Sequence, residues 1–145
     1  MKKLLLFISL LSFTYALTPF SLEGLKEFNV KVWNKNDLLT QAQADELKLK
    51  IEEKLTPLGL KLHSKTFSNM LVKLEGVEVD ETTVVNVTIA IIEDAHPARD
   101  KEMINMTMTY TINDLFDSTD VVSDIYESVL SYLLEDFIEQ YKNEN

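Results

Sequence analysis

Polar and apolar positions along this chain fall into two periods. Between Phe28 and Trp33, apolar Phe28, Val30 and Val32 alternate with Asn29, Lys31 and Trp33, the period of a strand with one buried face. After Leu39 the period lengthens. Ala44, Leu47, Ile51 and Leu55 recur at helical spacing, Thr40 and Gln43 stand at capping-box spacing, Leu39 can pack on Ala44 as a staple, and Pro57 with Gly59 ends the helix.

Alternation then returns. A short strand is predicted at "LKLHS" (60–64), and another at "MLVKLEGVEV" (70–79), where the apolar register shifts across Gly76 as it would at a bulge. After a turn at Asp80 and Glu81, Val85, Val87, Ile89 and Ile91 alternate with Asn86, Thr88 and Ala90. Beyond the loop 93–102, Ile104, Met106, Met108, Tyr110 and Ile112 alternate with Asn105, Thr107, Thr109 and Thr111. These last two strands, joined by a local loop, are expected to pair antiparallel with one apolar and one polar face.

A final helix is expected from about Asp117 to Lys142, with Asp117 as a cap. Its stripe is Val122, Ile125, Val129, Leu133 and Phe137, widened by Tyr126, Leu130, Leu134 and Ile138. Asp120, Asp124, Glu127, Ser131, Glu135 and Glu139 lie opposite. The order β-α-β-β-β-β-α predicts an α+β two-layer sandwich: an antiparallel sheet of about five strands with two helices packed on one face.

Residues 1–20 follow neither period. Lys2 and Lys3 precede an apolar run from Leu4 to Phe13, and small residues Thr14 and Ala16 follow. This is the pattern of a secretory signal peptide over residues 1–16, leaving residues 17–145 as a single domain. The run is too short to span a bilayer, and no cysteine follows it for lipid attachment, so no stable membrane anchor is expected after cleavage. The expected location is periplasmic or secreted, in a bacterial envelope.

With no cysteine, the chain has no disulfides, thiolate metal sites, covalent haem or cysteine nucleophile. The triplets Asn86-Val87-Thr88 and Asn105-Met106-Thr107 fall inside predicted strands and are read as strand composition rather than glycan acceptors. Without Lys2 and Lys3 the chain keeps 24 acids and 12 bases, a net charge near −12, and Arg99 is its only arginine. No nucleic-acid partner is expected from such a balance.

Three features hold candidate chemistry. In the loop "EDAHPARDKE", Asp94, His96 and Arg99 place acid, base and cation together. Asp94, His96 and Asp100 could serve as oxygen and nitrogen donors, but the spacing matches no established ligand pattern, and neither metal nor cofactor is expected. Its default account is a hydrated hairpin turn set by Pro97. Asn86, Thr88, Asn105, Thr107 and Thr109 would form an uncharged polar face across two strands, and charge depletion marks the centre of many interfaces. The single tryptophan, Trp33, falls opposite the apolar set of its strand. Packing beneath a neighbouring loop is its ordinary fate, since large aromatics are usually well buried.

Glycine-rich nucleotide loops, a nucleophile elbow and zinc signatures are all missing from the sequence. The expectation is a small exported protein acting by binding, as a non-enzymatic module with a protein partner of the cell envelope. The alternative is a small-ligand or metal-binding protein or enzyme with a site near the 93–102 loop.

Overall fold

The computed structural model describes residues 21–145; residues 1–20, with the expected leader and its cleavage position, lie outside them. The chain runs through β1 (Glu27–Asn34), α1 (Gln41–Leu55), β2 (Lys61–Leu62), β3 (Asn69–Val79), β4 (Thr82–Ala95) and β5 (Asn105–Ser118). It ends in one long C-terminal helix made of α2 (Val121–Glu127), a π-helical segment (Ser128–Leu133) and α3 (Leu134–Glu144). The order β-α-β-β-β-β-α is the one the periodicities predict.

The sheet is mixed rather than antiparallel. Its order is β2-β1-β3-β4-β5, with β1 parallel to both neighbours and β3, β4 and β5 antiparallel in turn. The cause is α1. A helix between two strands returns the chain to the end it left, so the next strand must run parallel. β2 pairs only Glu27 and Phe28 with Lys61 and Leu62 before residues 63–68 carry the chain to the other side of β1. His63, at φ +63°, lies at the start of that crossing, and the Asn29 amide donates to the Thr66 carbonyl along it at 3.3 Å.

Helix α1 starts where the sequence places it. The Thr40 hydroxyl accepts from the Gln43 amide and the Gln43 side chain accepts from the Thr40 amide, so two otherwise unpaired N–H groups are satisfied. Gly59, at φ +76°, then closes the short 3-10 turn after the helix. The C-terminal helix is capped by Asp120, whose carboxylate accepts from the Ser123 amide, not by Asp117, because β5 continues through Ser118.

A stripe advancing by four residues drifts about 40° per step around an α-helix. The wider i→i+5 turns of Ser128–Leu133 offset that drift and keep Ile125, Val129, Leu133 and Phe137 all buried.

One core joins the layers. From the sheet come Phe28 and Val30, Met70, Val72 and Leu74, Val85, Val87, Ile89 and Ile91, and Tyr110; the helices add the α1 stripe and the Ile125 to Ile138 stripe. Phe137 is its hinge point, edge-on to Phe28 at 6.3 Å and to Tyr110 at 5.4 Å between ring centroids. Burial first, and then the charges of Asp136 and Glu144, push the Tyr110 hydroxyl up to about 12.

Two register expectations need correction. β3 and β4 pair without interruption from Asn69↔Ile92 to Val79↔Thr82, so Gly76 marks no bulge. It stands on the core side of β3, where an added Cβ would lie 2.7 Å from a Leu38 methyl; the missing side chain makes room for Leu38. The irregularity lies instead in the last pair. Ile91 faces Tyr110 but Ile92 faces Met108, leaving Thr109 as the extra residue of a bulge.

Candidate functional site

The bulge decides what the outer face of the sheet carries. A one-residue shift exchanges the faces of every residue beyond it. On the regular side, Asn86 faces Leu115 and Thr88 faces Asn113, turned away from the helices. Beyond the bulge, Met108 and Met106 pair with Ile92 and Asp94 on that outer face, while Thr107 and Asn105 pair with Glu93 and Ala95 on the helix side. The expected continuous surface of Asn86, Thr88, Asn105, Thr107 and Thr109 is therefore split between two faces.

Thr109 is drawn inward by a carboxylate. Its hydroxyl donates to one oxygen of Glu93 at 2.7 Å, and the Ser68 hydroxyl donates to the other at 3.3 Å. Here the first described residues, rather than a helix, cover the core side. Ser21 to Leu25 meet Ile91, Glu93 and Thr109 around a cavity of about 80 Å3. The same N-terminal stretch is tied to the chain's end. The Leu22 amide and the Ser21 hydroxyl donate to Glu144, and Gly24 donates to the Asn145 side chain at 2.9 Å. Burial would raise the Glu144 carboxyl, but hydrogen bonds from the Leu22 amide, Gln140, Ser21 and the Glu23 amide hold it below the ordinary value.

The loop after β4 makes two successive turns. The Asp100 amide donates to the Pro97 carbonyl at 3.0 Å and the Glu102 amide to the Asp100 carboxylate at 3.0 Å. Asp94, His96 and Arg99 are exposed there, and among the described residues no ion pair within 4.0 Å includes them. The other histidine, His63, lies beyond β1 and approaches Glu52 at 3.4 Å. Two strands stand between β2 and β4, so the two histidines do not converge. Among the described residues no group of three or more His, Asp or Glu is close enough to hold a metal ion, and no helix is long and apolar enough to cross a membrane.

Trp33 lies on the outer face, not beneath a loop, and is 52% exposed. It faces Lys73 across β1 and β3, with the ammonium 5.4 Å from the ring centroid. Lys73 also reaches Glu75 at 2.6 Å, as Lys35 does at 2.8 Å. Hydrogen bonding from Lys35, then from Lys73, lowers the Glu75 carboxyl below its usual value. Around this charged row stand exposed apolar side chains: Val77 and Leu115 toward one end, Met106 and Met108 toward the other. The alternation gave no sign of the two methionines, because Met106, Met108, Tyr110 and Ile112 form one unbroken apolar series in sequence.

The outer edge of β5 is also open. β4 pairs with one side of it, and among the described residues no strand pairs with the other. Among the described residues the molecule thus presents an uncovered sheet face and an open strand edge. No protein-family model matches the chain, and no curated protein matches it.

Proposed function

We propose that this protein is exported to the periplasm or beyond and acts by binding a protein partner of the cell envelope through the sheet surface opposite the helices. The observation that carries this reading is the outer face itself. It stands clear of both helices and exposes Trp33, Leu115 and Met106 at 52%, 65% and 61%. Aromatic and methionine side chains are enriched at interfaces, and apolar area left in water is a driving force for association. The apolar run after Lys2 and Lys3 supports export.

The test is recovery of the tagged full-length chain from the envelope of the source cell, with the mass of the processed chain read at the same time. The expected result is an N-terminus at or near Leu17 and a stoichiometric protein partner, lost when Trp33→Ser and Met106→Lys are combined but kept with Glu139→Gln on the helix side. An unprocessed chain in the membrane fraction, a partner indifferent to the outer face, or a bound metal or small molecule in place of a protein would overturn it.

A further inference from the structure

β5 is a long strand to leave at an edge. It has 14 residues where five or six are typical, and about half of its main-chain groups point away from β4 unpaired. Exposed edges are commonly closed by lysine, proline or a bulge. β5 contains neither lysine nor proline, and its bulge at Thr109 leaves Tyr110–Ser118 as a regular run of nine residues.

Beside that run lies a cleft of about 280 Å3, between β5 and the start of the C-terminal helix. It is lined by Asp114, Phe116 and Asp117 from the strand and by Asp124, Glu127 and Tyr132 from the helix, with no basic residue among the lining groups. Asp114 accepts from Ser128 at 2.9 Å, Asp124 from Ser118 at 2.6 Å and Glu127 from Tyr132 at 3.2 Å. Each carboxylate retains further acceptor capacity, since an ionised carboxyl has about four lone-pair directions.

We propose that the edge from Tyr110 to Ser118 accepts an extended, lysine- or arginine-rich segment of a partner protein as a sixth strand, its basic side chains entering this cleft. The proposal rests on the binding function above and names the partner's chemistry. A strand added at an edge gains affinity from main-chain hydrogen bonds and selectivity from alternate side chains. Side chains turned toward the helix meet Asp114, Asp124 and Glu127, and those turned outward meet Asn113 and Leu115, so the fitting pattern alternates basic and apolar.

Charge selects this occupant over a second copy, which would bring its own Asp114 and Asp117 to an edge already acidic. It also selects this edge over the stretch of β1 that β2 leaves unpaired. There the cleft holds Lys31 and Lys48 with Asp37 and Asp45 and is balanced.

The experiment titrates the native chain with a nine-residue peptide alternating lysine and valine, followed by calorimetry and amide chemical shifts. Saturable binding is expected, with shifts concentrated on Tyr110–Ser118. Asp114→Asn with Glu127→Gln should weaken it by about fivefold or more, and a glutamate-for-lysine peptide should not bind. Peptides methylated on alternate backbone amides keep the charge but lose donors; at least one of the two phases should fail to bind.

Equal binding of both methylated phases would reduce the effect to charge adsorption and overturn the proposal, as would shifts located elsewhere. A stable dimer with Tyr110–Ser118 already protected would give the edge to a second copy. An envelope partner that binds the Asp114→Asn, Glu127→Gln chain undiminished would sink the edge assignment while leaving the binding function standing. Absence of any protein partner of the native chain would sink that function instead.

Discussion

Glu144 shows how a single side chain can set a local pH response. Its carboxylate receives the Leu22 amide, the Ser21 hydroxyl and the Gln140 amide, and its proton affinity is lowered in the folded chain. A depressed carboxyl stabilises the fold above its unfolded value, and that contribution is lost as pH falls through the folded value. The tie between Ser21–Gly24 and the helix end should therefore loosen as pH drops below about 4.5, the ordinary value for this group. The Leu22 amide resonance should titrate with Glu144, and Glu144→Gln should abolish that titration. An identical Leu22 curve in the variant would place the response elsewhere. The tie was not legible in the sequence, because Ser21 and Leu22 are more than 120 residues from Glu144. Gly76 was visible but misleading: a shift in apolar parity looks the same whether the backbone bulges or Val77 simply faces water.

At the scale of elements the sequence was a better guide. α1 and the C-terminal helix follow their stripes, and the Thr40–Gln43 capping box forms as its spacing predicts. Leu133 and Phe137 are both buried, and Phe137 touches two strands through Phe28 and Tyr110. Truncating either to alanine should cost about 2–5 kcal/mol, through lost burial and the cavity left behind. Glu139→Gln on the exposed side should stay within about 0.5 kcal/mol. Denaturant unfolding measures both, and a silent Leu133→Ala would mean the helix does not seal the core. Strand direction was less legible than strand position, since periodicity does not say which neighbour a strand chooses. The bulge was hidden because apolar and polar residues keep the same alternation through it, from Met106 and Met108 to Tyr110 and Ile112, and only pairing with β4 reveals that Met106 and Met108 turn outward.

Across the whole molecule, the excess of acids and the absence of cysteine bound the chemistry without naming it. The candidate loop was found by composition, yet its Asp94, His96 and Arg99 stand apart in solvent. On β4 and β5 a continuous uncharged polar face was foreseen. The bulge keeps Asn86 and Thr88 outward but turns Thr107 and Asn105 to the other side, and the outer face also carries a charged row beside Trp33 on β1 and β3, with apolar Leu115 and Met106 toward its ends. That difference arises from register and uncovered area, which appear only when the sheet is assembled. In the proposed function the sheet, not the loop, is the working surface. Hydrogen exchange of the chain bound to the envelope partner proposed for it, against the free chain, tests this most directly. The account predicts slowed exchange along Tyr110–Ser118 and in the neighbouring strands, with α1 and α3 unchanged. Slowing confined to residues 93–102, or to the helices, would contradict it.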